Sequence, residues 1–151
     1  MRVVIQKVKE ASVAVEGEMI ASIKKGLLVL LGIQNDDEQT DIDYLIKKTI
    51  QLRIFEDESG VMNRSVQEVD GDLIIVSQFT LQANTKKGNR PSYIRAAKPE
   101  ISIPLYEKFI DSVEKVLNKK VGTGKFGAMM DVALINDGPV TIIIDSKQKD
   151  F

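Results

Sequence analysis

The sequence predicts a mixed α/β domain, with two amphipathic helices packed on a largely antiparallel, barrel-like sheet. Three observations predict it. The opening third alternates apolar and polar residues in short runs broken by turn residues. Two later windows carry apolar residues at helical spacing. A length of 151 residues, 43% apolar and 28% charged, fits one domain spanning 1–151 with a sizeable core.

Arg2 to Val8 alternates around Val3 and Ile5, and Ala11 to Val15 around Val13 and Val15, which predicts two strands. Glu16-Gly17-Glu18 turns the chain into a third strand, Met19 to Ile23. Lys24-Lys25-Gly26 turns it again into Leu27 to Ile33, apolar throughout and so covered on both faces. From Thr40, the expected N-cap, residues Ile42, Leu45, Ile46, Thr49, Ile50 and Arg53 form an i, i+3, i+4 ladder. The acidic run Asp36-Asp37-Glu38 lacks the glycine and the twelfth-position Glu of a calcium loop. It reads instead as favourable charge at a helix N-terminus. Turns at Asp57 to Gly60 and at Asp70-Gly71 precede the apolar strand Leu73 to Phe79. Residues 82–99 read as a loop. A second helix follows, capped by Ser102, with Pro104 in its first turn and Tyr106, Phe109, Ile110, Val113, Val116 and Leu117 as its apolar stripe. Gly122-Thr123-Gly124 ends that unit. Two last strands, Met129 to Ile135 and Val140 to Asp145, are joined by Asn136-Asp137-Gly138-Pro139.

Two zeros in the composition exclude much chemistry. The chain has no Cys, which removes disulfides, thiolate nucleophiles, zinc knuckles and iron–sulfur clusters. It has no His, which removes the Ser-His-Asp relay and the usual base near neutral pH. An enzyme built from it must use carboxylates, Lys, hydroxyls, backbone N–H groups or a group on its own substrate. No apolar run approaches the ~18–20 residues of a membrane span, and the N-terminus lacks a secretory pattern. A cytoplasmic protein without membrane contact is therefore expected.

A net charge of −1 argues against a protein that coats nucleic acid, DNA included. The distribution is uneven, however. No acid falls between Asp72 and Glu100, where Lys86, Lys87, Arg90, Arg95 and Lys98 lie, and none between Glu114 and Asp131, where Lys115, Lys119, Lys120 and Lys125 lie. Either segment can grip a few phosphates or be an ordinary solvated surface.

Three segments are candidates for chemistry. Ser77-Gln78-Phe79-Thr80-Leu81 ends an apolar strand, with hydroxyls, an amide and bend N–H groups that suit an oxyanion. Its alternative is a strand end whose hydroxyls bond to backbone. Asn136-Asp137-Gly138-Pro139-Val140-Thr141 reads as a hairpin turn in which Gly-Pro is unusual, and sequence alone does not decide a cis bond there. Lys86-Lys87-Gly88-Asn89-Arg90-Pro91-Ser92-Tyr93 is a basic loop with one aromatic available for stacking on a base.

Taken together, these segments resemble the D-aminoacyl-tRNA deacylase family. The resemblance rests on Ser77 to Leu81, Lys87 to Ser92, Thr123-Gly124-Lys125-Phe126-Gly127-Ala128-Met129 and Asn136 to Thr141. It also rests on Ile5 to Val8 with Ala11 to Val13, and on Gly26 to Gly32, so it spans essentially the whole chain. It implies a homodimeric, metal-independent hydrolase of the ester between a D-amino acid, or mischarged glycine, and the terminal adenosine of tRNA. Ser77, Gln78, Phe79 and Thr80 would surround the reacting ester. Gly138 and Pro139, joined by a cis bond and reaching into the partner subunit's site, would select chirality together with Asn136, Phe126 and Met129. Lys86, Lys87 and Arg90 would hold tRNA. The substrate's own 2′-OH would then do the acid–base work, with N–H donors of Phe79 and Thr80 facing the oxyanion. One departure is Lys7, where the family usually carries an Arg that anchors the Gly-Pro loop; Lys does not reproduce a planar fork. A non-catalytic module that binds the tRNA acceptor end is the alternative function.

Overall fold

Residues 1–150 are described by a computed structural model. The chain runs β1 (Arg2–Val15), β2 (Glu18–Ile23), β3 (Gly26–Gly32), α1 (Gln39–Gln51), β4 (Phe55–Glu56), β5 (Met62–Arg64), β6 (Asp72–Ser77), a 3-10 turn (Phe79–Gln82), α2 (Pro99–Leu117), β7 (Gly122–Thr123) and β8 (Asp131–Asp145). The main sheet has the order β2-β1-β3-β6-β7, with β8 also on β1, and β4 and β5 form a separate ribbon. β1 organises the sheet. One of its edges is occupied by β8 from Arg2↔Asp145 to Ala14↔Asp131. The other is divided between β3, opposite residues 2–8, and β2, opposite residues 11–15. β3–β6 and β6–β7 pair in parallel. Gly122 of β7 packs against Ala21 of β2, so the sheet nearly closes into a barrel.

The two faces of this sheet bury two cores. Val3, Ile5, Leu27, Val29, Leu31, Leu73 and Ile75 face α1 and α2 and meet Ile42, Leu45, Phe109 and Val113. Leu28, Ile74 and Val76 point to the barrel interior, where they meet Val8, Ala11, Val13 and Ile23. This period-two division explains why β3 is apolar without alternation. Close approach sets one residue type outright: a Cβ on Gly26 would stand 1.9 Å from the Asp72 carbonyl oxygen across the β3–β6 pair.

Several expected boundaries are corrected. Arg2–Val8 and Ala11–Val15 are one strand, because the polar pair at 9–10 sits at an irregularity in the β1–β8 register rather than at an end. The last two strands are likewise one, β8. Asn136 to Pro139 is thus not a hairpin turn: both flanks pair with β1, and the segment bulges out of a continuous strand. Between Gln6↔Thr141 and Val8↔Asn136, β8 uses five steps where β1 uses two. β6 stops at Ser77, since Phe79–Gln82 coils into the 3-10 turn.

The helices also start earlier than the sequence suggested. Glu38, not Thr40, caps α1, and its N–H donates to the Asp41 carboxylate (2.9 Å). Asp37 is buried against the Met1 ammonium instead of serving the helix. Pro99 takes the first position of α2, and Lys98 is its N-cap. Pro104 therefore lies inside the helix, and the Ser102 hydroxyl donates back to the Lys98 carbonyl (3.1 Å) rather than capping.

Thr49, fully buried on α1, has a hydroxyl with no hydrogen-bond partner among the described residues. Val has the same shape without that unpaired group. Thr49→Val is expected to raise stability by about 1 kcal/mol, seen as a Tm increase of roughly 2–4 °C in thermal melts.

Candidate active site

Parallel pairing places the C-terminal ends of β3, β6 and β7 along one edge of the sheet, where the segments that leave them diverge and open a crevice. A cavity of about 550 Å³ lies there. Leu31 and Ile33 line it from the β3 end, Ser77 and Gln78 from the β6 end, and Pro99 and Ser102 from the start of α2. The segment after β7 closes it with Phe126, Gly127, Ala128 and Met129. The wall is mostly apolar. Its few polar groups gather at the Ser77-Gln78 corner.

That corner is held in place by backbone. The Gln78 N–H donates to the Leu31 carbonyl (2.8 Å), and the Leu81 N–H closes the turn onto the Gln78 carbonyl (3.2 Å). Buried Gln82 ties the turn to β3 by donating to the Gly32 carbonyl (2.9 Å). Phe79 and Thr80 open the 3-10 turn, and the first N–H groups of such a turn have no partner within it. They are available to an external acceptor. The Gln78 side-chain amide donates to the Thr80 hydroxyl, and Thr80 is not among the residues that line the cavity. Behind the wall, the Tyr106 hydroxyl donates to the Ile75 carbonyl (2.8 Å), and its ring packs against Phe126 at 5.7 Å. Burial pushes the Tyr106 phenol up to about 12, so it remains a neutral support.

The structure thus brings together Ser77, Gln78, Phe79, Phe126 and Met129, from segments some 50 residues apart. Thr80 is beside the cavity but not on its wall. Asn136, Gly138 and Pro139 are elsewhere on the same molecule, on the exposed bulge of β8. Asn136 acts within that bulge: its Oδ1 accepts the Val140 N–H (2.7 Å) and its Nδ2 donates to the Val140 carbonyl (3.1 Å), closing the loop at its base. The Gly138–Pro139 bond is cis. Lys7, fully buried on β1, sits opposite the bulge, with Nζ 3.7 Å from the Asp137 carboxylate and 2.7 and 2.8 Å from both oxygens of Glu56. The Lys7 ammonium thus lies between two carboxylates, hydrogen-bonded to Glu56 and in charge contact with Asp137. The Lys7 ammonium holds the Glu56 carboxyl below its usual range.

Lys86, Lys87 and Arg90 are exposed on a loop closed by the Asn84↔Ser92 bridge, and no ion pair joins them among the described residues. Tyr93, just after it, meets Phe79 edge-to-face at 5.0 Å, which links this loop to the cavity rim. The second basic segment is different. Lys119 is paired with Asp70 and Asp72, and Lys120 with Glu114, so two of its four lysines are engaged within the fold. Sequence reasoning did not find Glu56, Ser102 or the Ala96–Ala97 part of the wall. Nothing in their local spacing marks them, since they reach the site only through tertiary packing. No helix among the described residues is long and apolar enough to cross a membrane.

The sequence profile described as D-Tyr-tRNA(Tyr) deacylase matches residues 4–145. The D-aminoacyl-tRNA deacylase of Flavobacterium johnsoniae is 63% identical over 150 residues, covering 99% of this chain and 100% of that protein. The D-aminoacyl-tRNA deacylase of Bacteroides thetaiotaomicron is 59% identical over the same length, covering 99% of this chain and all of its own. Among solved structures, one described as the c-Myc DNA Unwinding Element Binding Protein superposes with a TM-score of 0.92 at 41% identity, covering 96% of this chain and 98% of its own. A probable eukaryotic D-amino acid tRNA deacylase shares the fold, with a TM-score of 0.81 at 16% identity over 95% of this chain and 97% of its own. With its profile matched from the first strand to the last and its length shared with these relatives, the chain belongs to the D-Tyr-tRNA(Tyr) deacylase family.

Proposed function

We propose that this chain hydrolyses the ester between a D-amino acid and the terminal adenosine of tRNA in the cytoplasm, that it also removes mischarged glycine, and that it rejects L-aminoacyl esters. The observation that carries this is the turn after β6. Unpaired N–H groups of Phe79 and Thr80 stand beside Ser77 and Gln78 at the mouth of a cavity sized for an aminoacyl group. The substrate's 2′-OH supplies the proton transfer, because the chain has no His and the Thr80 hydroxyl already accepts the Gln78 amide. Lys86, Lys87 and Arg90 hold the acceptor stem by its phosphates, and Tyr93 is at hand for a terminal base.

The active unit is a homodimer. Among the described residues β8 pairs with β1 alone, so its other edge is open along a 15-residue strand that exposes Val132, Ile135 and Ile143. An open apolar edge of that length calls for a covering partner. Gly138–Pro139 stands exposed on this strand, outside its own cavity, and a two-fold partner brings it to the other copy's cavity. Its carbonyls then face the substrate's α-amino group, and an L side chain meets backbone.

Purified chain incubated with matched D- and L-tyrosyl-tRNA in the presence of a chelator tests the proposal. Release of D-tyrosine with L-tyrosyl-tRNA left intact is expected. Tight tRNA binding with no release from either substrate would make the chain a non-catalytic acceptor-end module. A narrower test addresses the oxyanion donors. Phe79 is the first residue of its turn, a position where Pro is tolerated. Phe79→Pro removes both ring and N–H, and Phe79→Ala removes only the ring. Phe79→Pro is expected to show a kcat about 10²–10³-fold below that of Phe79→Ala, measured by single-turnover deacylation.

A further inference from the structure

The β4–β5 ribbon has no place in the cavity, yet its Glu56 reaches the base of the Gly138–Pro139 bulge through one buried cation. Lys7 is 0% exposed, and withdrawing an ammonium from water is costly unless anions accompany it. Glu56 supplies both oxygens at 2.7 and 2.8 Å and so takes up two of the three Lys donors. Asp137, the residue before Gly138, is the other anion, at 3.7 Å, a contact of charge rather than a hydrogen bond. Phe55 floors the arrangement, with Lys7 at 5.5 Å and Lys25 at 5.7 Å from its ring centre. Two carboxylates on different elements therefore share a single ammonium. The stronger hold belongs to Glu56.

We infer that Glu56 is a positioning residue: by holding Lys7 away from Asp137 it sets where the Gly138–Pro139 bulge stands, and thereby tunes rejection of L-aminoacyl esters. The second half of this statement rests on the proposed role of the bulge, and the first half does not. If Glu56 merely neutralised Lys7, its replacement would change stability and leave the bulge where it is. If it positions, a neutral Gln must release the ammonium toward Asp137, closing the 3.7 Å gap and drawing the bulge inward. The shift is small, yet chiral rejection by backbone contact is steep in distance.

The test uses the intact chain with ¹⁵N-labelled glycine. Glu56→Gln is expected to move the Gly138 amide resonance, while Glu58→Ala at the ribbon tip leaves it in place. In a Lys7→Met background, Glu56→Gln is expected to add no further movement, since the cation that relays it is gone. Lys7→Met fills the buried site with an apolar chain of similar length; should it not fold, Asp137→Asn provides the second leg of the cycle. The D-over-L ratio of kcat/KM should change about fivefold or more in Glu56→Gln. An unmoved Gly138 resonance in Glu56→Gln overturns the inference. A moved resonance with an unchanged D-over-L ratio upholds the link from Glu56 to the bulge and removes the bulge from chiral selection.

Discussion

Gly138→Ala is expected to lower kcat/KM for D-tyrosyl-tRNA by about 10²-fold or more while leaving the thermal melt nearly unchanged. The backbone at Gly138 has φ +157, in a region L side chains rarely adopt. A Cβ there would lie 2.6 Å from Cγ2 of Val140 and 2.8 Å from the Val140 nitrogen. Neither neighbour can yield. Val140 is buried, and its N–H and carbonyl are both held by Asn136. The alanine must therefore move the tip of the bulge. Gly138 and Pro139 are exposed whereas Val140 belongs to the core beneath them, so the tip is the part that gives way and the damage falls on the site. A displacement of about 1 Å at a positioning element is worth roughly two orders of magnitude in rate. Single-turnover deacylation with D- and L-substrates checks both activity and discrimination. Full activity with unchanged D-over-L preference in this variant would remove the bulge from the mechanism.

A terminal 2′-deoxyadenosine carrying the amino acid on its 3′-oxygen should be hydrolysed about 10²–10⁴-fold more slowly than the ribo substrate, after correction for spontaneous hydrolysis of each. The composition sets this up. With no His and no Cys, a nucleophilic Thr80 would need a base the site does not supply. The Thr80 hydroxyl also accepts the Gln78 amide and is not on the cavity wall. Thr80→Ala is therefore expected to keep turnover within about tenfold, because it removes a neighbour of the site rather than the reacting group. A normal rate on the deoxy substrate, combined with complete loss in Thr80→Ala, would reverse the assignment in favour of covalent catalysis.

The elements with strong periodicity were legible in the chain, and those defined by distant partners were not. The ladder from Ile42 to Ile50 and the stripe from Tyr106 to Leu117 were readable because a helix repeats its own pattern every turn. Their first turns were misread. Caps depend on which nearby residue takes the half-helical position, and Glu38 and Lys98 hold the places expected for Thr40 and Ser102. Asn136-Asp137-Gly138-Pro139 has the composition of a hairpin turn. Only pairing with β1 on both flanks shows it to be a bulge in one strand. Ser77, Gln78 and Phe79 stood out as polar and aromatic groups at an apolar strand's end, and they do line the cavity. Glu56 carried no such mark, since its partner lies 49 residues away on another sheet.

By itself the sequence determined the class of fold, the two amphipathic helices, the chemistries excluded by two missing residue types and the segments that carry the family's motifs. These are properties of residue type and local spacing, which chain connectivity transmits directly. Tertiary structure alone decided that three parallel strand ends open one cavity, that the Gly138–Pro139 bulge stands outside it, and that a buried lysine shares its charge between a ribbon and that bulge. Each of these depends on strand register and on charges meeting in a desolvated space, and both arise only when residues far apart in the chain are packed together.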